Sequence, residues 1–222
     1  MKEKSMTDLR QYIEHTLLKQ DATRKEVQKL LDEAVENGFF GVCINPCYVR
    51  FAKKYLQGQN VKVVTVVGFP LGASLPEVKA FEAQKAISDG ADEVDMVINV
   101  SCIKNKDWDA IVEEIETVKK ACEGKPLKVI LETDLLNSIE IEQACILCVE
   151  AKADFVKTST GFVKNGVGAK VEDVALMAKM VKPYGLKVKA SGGIKDKAKA
   201  LLLIEAGADR LGTSSGVLLV GH

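Results

Sequence analysis

Eight short runs rich in valine, isoleucine and threonine recur along this chain, and a helix-patterned stretch stands between each run and the next. The runs fall at 13–18, 41–45, 62–67, 93–99, 127–131, 154–158, 186–190 and 209–213. Short β-branched segments alternating with amphipathic ones predict strand–helix repeats. Parallel strands cannot be joined by hairpins, so every connection must be a crossover, and a helix is the usual one. Few architectures satisfy that pattern eight times over. The closed (β/α)8 barrel (a TIM barrel) and the open doubly wound sheet are the two to separate.

The helices carry their own punctuation. Thr23 and Glu26 have the spacing of a capping box, and Val27, Leu30, Leu31, Ala34 and Val35 then recur on one face up to Gly38. Ser74 and Glu77 predict a second box, with Pro76 in the first turn and Gly90 as the stop. Further helices are expected at about 46–57, 106–121, 138–151, 171–182 and 196–206. The pair Ala-Asp recurs before strands four, six and eight, as Ala91-Asp92, Ala153-Asp154 and Ala208-Asp209. A period of two strand–helix units suits a closed barrel, where alternate strands feed one layer of side chains. A doubly wound sheet usually has its glycine-rich turn after the first strand. Here the glycines follow strands three, six, seven and eight, which favours the barrel.

A chain of 222 residues is one large domain or two small ones; eight repeats in sequence make residues 1–222 one barrel domain. Basic and acidic side chains number 31 each, so no global field favours nucleic acid or an acidic membrane surface. No apolar run is long enough to cross a bilayer. Residues 1–6 lack the apolar stretch of a signal peptide, and a cytoplasmic protein is expected. In that compartment the six cysteines are not expected to pair. Cys145 and Cys148 lie inside a helix-patterned stretch, and neither they nor Cys43 and Cys47 sit in a zinc knuckle. Buried, inert thiols are expected, with no metal and no cofactor.

The chemistry gathers at the strand ends, where such barrels place their active sites. Lys157 closes strand six before Thr158-Ser-Thr-Gly161, and Lys189 closes strand seven before Ala190-Ser-Gly-Gly193. A charged lysine left unpaired in an apolar strand is costly. Two on adjacent strands suggest that one is held as a neutral amine, a nucleophile for carbonyl carbon. Asp95 on strand four supplies the acid. The plainer alternatives are strand-end lysines reaching solvent and a buried ion pair with no chemical role. Glu93 and Lys187, two residues earlier on their strands, are expected nearer the barrel bottom as ion-pair or solvated groups.

Two further turns have the composition of an anion cradle. Ser191-Gly-Gly-Ile194 follows strand seven and Gly212-Thr-Ser-Ser-Gly216 follows strand eight. Bared backbone N–H groups and hydroxyls after these two strands commonly hold phosphate. Gly192, Gly193, Gly212, Ser214 and Ser215 are the candidates, with Gly161 closing a third side.

Nearly the whole chain resembles the deoxyribose-phosphate aldolase family. The resemblance rests on Ile13-Glu-His-Thr-Leu-Leu-Lys19, Val42-Cys-Ile-Asn-Pro46, Val67-Gly-Phe-Pro-Leu-Gly72, Glu77-Val-Lys-Ala-Phe-Glu82 and Gly90-Ala-Asp-Glu-Val-Asp-Met-Val-Ile-Asn99. It continues in Phe155-Val-Lys-Thr-Ser-Thr-Gly-Phe162, Lys189-Ala-Ser-Gly-Gly-Ile194 and Arg210-Leu-Gly-Thr-Ser-Ser-Gly216. The resemblance implies a class I aldolase that reversibly cleaves 2-deoxy-D-ribose 5-phosphate to acetaldehyde and D-glyceraldehyde 3-phosphate. It implies Lys157 as the Schiff-base lysine, Lys189 as the cation that favours its amine form, and Asp95 as the proton-transfer acid. Phosphorylated sugars and aldehydes are then the partners, no nucleic acid or membrane is involved, and a homo-oligomer is expected. The chain departs from the family at Glu14, commonly aspartate, at Gln20, commonly proline, and at Asp134 and Ser101-Cys102, where small residues are usual. It ends at His222 without the terminal tyrosine tail of some members. Two other readings stay open: another sugar-phosphate lyase or isomerase, and a catalytically idle barrel that binds a phosphorylated metabolite.

Overall fold

The structure, a computed structural model, describes residues 8–221. The readings made on residues 1–6 and on His222 lie outside the described residues. In chain order the elements are β1 (Ile13–Leu17), α1 (Arg24–Glu36), β2 (Gly41–Ile44), α2 (Val49–Tyr55), β3 (Lys62–Val67), α3 (Pro76–Ser88) and β4 (Glu93–Val97). Then come α4 (Val100–Asn105), α5 (Trp108–Ala121), β5 (Leu127–Ile130), α6 (Ser138–Glu150), β6 (Phe155–Lys157), α7 (Val171–Val181), β7 (Lys187–Ser191), α8 (Lys197–Glu205), β8 (Arg210–Thr213) and α9 (Gly216–Val220). Each strand pairs in parallel with the next, and β8 closes on β1, giving the expected eight-stranded barrel.

Outward-facing strand residues meet the inner faces of the helices. On α1 the residues Val27, Leu30, Leu31 and Ala34 are buried against the barrel, as their spacing requires. Cutting Leu31, which is wholly buried, to alanine costs about 2–5 kcal/mol. The Thr23 box forms in full, its side chain accepting from Glu26 N–H and Glu26 accepting from Thr23 N–H.

Four expectations need correction. The Ser74 box does not form: Pro76 occupies the first helical position, so Leu75 becomes the cap and offers no acceptor. The helix expected over 106–121 starts at Trp108, and a separate short helix, α4, precedes it, capped by Asn99. Lys106 takes a left-handed backbone between the two (φ 59°), which breaks the continuous run. The short α9 was not expected at all, because five residues carry too little periodicity to announce a helix. Not all thiols are buried either: Cys47 is exposed and Cys102 half-buried. Cys145 and Cys148 do fit the expectation, since burial pushes their thiols up, Cys145 to about 12, and leaves no reactive thiolate.

The Ala-Asp echo has a physical cause outside the barrel interior. Asp92 donates its N–H to Val63 O (2.7 Å) and accepts the Val63 N–H on its carboxylate (2.9 Å). Asp154 does the same with Leu127, at 3.0 and 2.7 Å, and Asp209 with Val188, at 2.7 and 2.9 Å. Each aspartate also pairs with a lysine in, or immediately after, the helix leading into the preceding strand: Lys53, Lys119 and Lys182. The period of two therefore marks three identical latches at the strand entrances, satisfying backbone donors that the ladder leaves open.

The barrel interior divides in two. Cys43, Val64 and Val66 pack with Leu18 and Phe69 on the β2–β3 side. The remaining wall is charged. Glu14, Glu93, Asp95, Lys128, Lys157 and Lys189 project inward from β1, β4, β5, β6 and β7, and all are buried. Strand register sets Asp95 opposite Lys128 and Lys157 opposite Lys189.

Candidate active site

Asp95 stands at the centre of this wall. Its Oδ1 accepts from Lys128 Nζ (2.9 Å), and its Oδ2 accepts from both Lys157 Nζ (2.9 Å) and Lys189 Nζ (2.7 Å). Lys189 also donates to Glu14, and Lys128 pairs with Glu93 at 2.5 Å. Three carboxylic side chains thus face three lysines, a balance that makes their burial bearable. Burial alone would push the Asp95 carboxyl up, but the three lysines outweigh it and hold the group well below the usual carboxylate range. Burial likewise works against charge on Lys189 and Lys128, yet Asp95 and Glu14 prevail, raising Lys189 and taking Lys128 to about 12.

A cavity of about 350 Å³ opens above the cluster at the C-terminal end of the barrel. Lys157 lines its floor, whereas Asp95 and Lys189 lie sealed below. The walls come from the ends of β1, β6, β7 and β8. Thr158 Oγ1 donates to Ser191 O and accepts the Ser191 N–H, both at 3.0 Å, and Ser191 Oγ donates to Ser159 O at 2.6 Å. These bonds lock β6 to β7 beside the two lysines. Gly212 serves the same corner: a Cβ there would stand 3.1 Å from Lys189 Cε, so glycine leaves the lysine stem its path.

The structure therefore brings Lys157, Lys189 and Asp95 into one contact group. Gly161, Gly192, Gly193, Gly212 and Ser214 all line the cavity above it. Ser215 does not; its N–H turns to Thr213 Oγ1 (2.9 Å) at the entry of α9. Glu93 is an ion-pair residue deep in the barrel, and Lys187 is exposed, as their positions suggested. His15 faces away from the cavity, toward α1, with Nε2 2.8 Å from Glu33.

Several residues escaped the sequence reading. Lys128 sits in the apolar strand Leu127-Lys-Val-Ile130, as the other two lysines sit in theirs, but it stands early in the strand and no glycine follows. Glu14, noted only as a departure, is wholly buried and bound to Lys189. Lys19 and Lys195 stand on the cavity wall and bring positive charge beside the glycine turns. A cavity with one lysine of the buried cluster on its floor, a buried acid behind that lysine and two further lysines on its wall suits carbonyl chemistry on an anionic substrate.

The description "DeoC/LacD family aldolase" matches residues 9–219. The chain is 54% identical to the deoxyribose-phosphate aldolase of Mannheimia succiniciproducens, over 96% of this chain and 94% of that one. It is 53% identical to the enzyme of that name from Thermococcus gammatolerans, over 96% and 95%. Among solved structures, the tetrameric deoxyribose phosphate aldolase of Aeropyrum pernix superposes with a TM-score of 0.89 at 37% identity, covering 96% of this chain and 89% of that chain. The match runs over nearly the whole chain and is far above what a shared fold alone produces: the chain belongs to the DeoC/LacD family of aldolases.

Proposed function

We propose that this chain is a deoxyribose-phosphate aldolase. It cleaves 2-deoxy-D-ribose 5-phosphate to acetaldehyde and D-glyceraldehyde 3-phosphate and catalyses the reverse addition. One observation carries the reading: Lys157 is the member of the charged cluster that lines the cavity, and its Nζ lies 2.9 Å from the Asp95 carboxylate. In the proposed sequence the Lys157 amine adds to the aldehyde carbon C1 of the open-chain sugar. Loss of water gives an iminium. That iminium takes the electron pair of the C2–C3 bond as the bond breaks and the C3 hydroxyl gives up its proton. Glyceraldehyde 3-phosphate leaves, the enamine is protonated at C2, and water releases acetaldehyde. Asp95, acting through water and Lys189, takes the C3 hydroxyl proton and returns a proton to C2; its carboxylate stands 2.9 Å from Lys157 Nζ and 2.7 Å from Lys189 Nζ.

The phosphate is assigned to Gly161, Gly192, Gly193, Gly212 and Ser214, joined by Lys195. Binding there holds the distant carbons over Lys157. Residues 1–222 are read as one barrel domain. Six cysteines without a disulfide support a cytoplasmic setting. The tetramer named for the Aeropyrum pernix enzyme supports a homo-oligomer. No metal or cofactor enters this sequence, because the iminium is the electron sink.

The test is mass spectrometry after acetaldehyde and borohydride. One ethyl group should be found on Lys157, and Lys157→Ala should lose both label and turnover. Labelling mainly at another lysine would sink the assignment. No label together with tight binding of the sugar phosphate would point to an idle binding barrel. Turnover of a sugar phosphate without label would point to a different lyase or isomerase.

A further inference from the structure

We propose that the turn at the exit of β5, residues 132–134, is a clasp that positions the phosphate end of the cavity, with Glu132 and Asp134 as its two positioning residues. The inference rests on the proposed placement of phosphate at Gly192 and Gly193.

The turn holds the loop that follows β6 at both of its ends. At the near end, Glu132 Oε1 accepts the Thr160 N–H (3.0 Å) and Glu132 Oε2 accepts from the Thr160 hydroxyl. The Thr160 hydroxyl oxygen in turn accepts the Phe162 N–H (3.0 Å), which fixes the course of the chain through Gly161. Glu132 does this from a left-handed backbone, φ 60° and ψ 61°, that non-glycine residues rarely adopt. Such a conformation persists only where the surroundings demand it, and it gathers at functional sites. At the far end, the Asp134 carboxylate accepts the Val167 N–H (3.2 Å) and the Gly168 N–H (2.8 Å).

The far end bears directly on the cradle. Gly168 is packed so closely on Gly192 that a Cβ would stand 2.3 Å from the Gly192 carbonyl carbon. A Cβ on Gly193 would stand 2.4 Å from Val167 O. The next residue, Ala169, donates its N–H to Ser191 O and Gly192 O, at 3.0 and 3.1 Å. Asp134 thus holds the strip of backbone against which Gly192 and Gly193 rest. Neither Glu132 nor Asp134 lines the cavity, so each acts through another residue.

The experiment compares the full wild-type chain with Asp134→Ala and the nearly isosteric Asp134→Asn. Three quantities are read: amide hydrogen exchange over residues 166–169 and 191–194, the Kd for inorganic phosphate by phosphorus NMR, and the yield of ethyl label on Lys157 from acetaldehyde and borohydride. Asp134→Ala should speed exchange at Val167 and Gly168 about tenfold. It should raise the phosphate Kd about fivefold, because a cradle displaced by a fraction of an ångström loses its donors. The yield of label should stay within about twofold, since acetaldehyde carries no phosphate to be placed. Asp134→Asn, which keeps one acceptor, should fall between. An unchanged phosphate Kd in Asp134→Ala overturns the clasp, as does a wild type with no saturable phosphate site. A wild type that takes no label overturns the aldolase reading instead, and the phosphate Kd still decides the clasp. If Asp134→Ala does not fold, Asp134→Asn carries the same test.

Discussion

Lys157 and Lys189 donate to the same oxygen of Asp95, at 2.9 and 2.7 Å, from facing positions on adjacent strands. The shared oxygen does not distinguish the two side chains; access and a second partner do. Lys157 opens onto the cavity, and Lys189 is sealed under Gly212 and bound a second time by Glu14. On the proposed reading this asymmetry separates nucleophile from fixed cation. It also ties the reaction to residues that never meet the substrate.

Glu14 is the first of these. It is buried on β1 and bonded to Lys189, so it helps to keep that ammonium charged and in place. Glu14→Gln should lower kcat about tenfold and leave KM nearly unchanged. Glu14→Asp should keep most of the activity. Steady-state kinetics on both variants decide the matter, and full activity in Glu14→Gln would make the residue structural only.

Lys128 should matter more to stability than to turnover. It bridges Asp95 and Glu93 and touches no part of the cavity. Lys128→Met leaves excess buried negative charge and should cost roughly 3–5 kcal/mol. For a chain of this size that lowers Tm by on the order of 10 °C. The pH dependence follows from the raised ammonium, at about 12. A cation raised on folding stabilises fully below its unfolded value of about 10.4 and loses that contribution as pH rises through the folded one. About 2 kcal/mol of the difference between wild type and Lys128→Met should therefore vanish between pH 10.4 and about 12. Urea unfolding across that range is the measurement. A constant difference would mean that packing of the stem, not the charge, is what the variant loses.

Much of this is legible in the amino-acid sequence. Strand periodicity predicted the barrel because the outer faces of the strands and the inner faces of the helices are apolar at regular spacing. Lys157, Lys189 and Asp95 stood out because charge inside an apolar strand must be compensated. Lys128 obeys the same rule, but it stands early in β5, and Glu132-Thr-Asp134 rather than glycine follows that strand, so the glycine criterion passes over it. The partner of Glu14 depends on closure of β8 onto β1, which joins residues at opposite ends of the chain. The Ala-Asp echo was visible as a pattern, while its latch geometry required strand register. Ser215 has the composition of a phosphate ligand, and at the start of α9 its N–H is bonded to Thr213 Oγ1, a contact the composition does not announce.

Charge on the cavity wall gives a separate prediction. Lys195 follows the Gly192-Gly193 turn, is exposed, and lines the cavity. Lys195→Ala should raise KM for the phosphorylated sugar about tenfold, and the loss should be larger at low than at high salt. Turnover of unphosphorylated deoxyribose should change little. Ser214→Glu, which sets a carboxylate on the same wall, should act in the same direction. Equal effects on both sugars would place the phosphate elsewhere.

Lys189 offers the sharpest separation of charge from stability. Lys189→Leu removes a cation that both Asp95 and Glu14 use, leaving Glu14 without its hydrogen-bond donor in the barrel interior. Removing one member of a buried pair costs roughly 3–5 kcal/mol, so the single variant should be strongly destabilised. Its kcat should fall by about two to three orders of magnitude. A fixed positive charge next to an amine favours the neutral form. Its loss should therefore move the optimum of the pH–rate profile upward, and the uncompensated carboxylates push the same way. The double variant Lys189→Leu with Glu14→Gln removes one charge of each sign and restores the balance. It should recover most of the lost Tm, because the orphaned carboxylate is gone. It should not recover kcat, because the cation beside Lys157 is still missing. A double variant that regains turnover along with stability would show that Lys189 serves the fold alone. A single variant with an unmoved pH optimum would leave it a proton carrier or a structural partner of Asp95, and the fixed-cation account would be wrong.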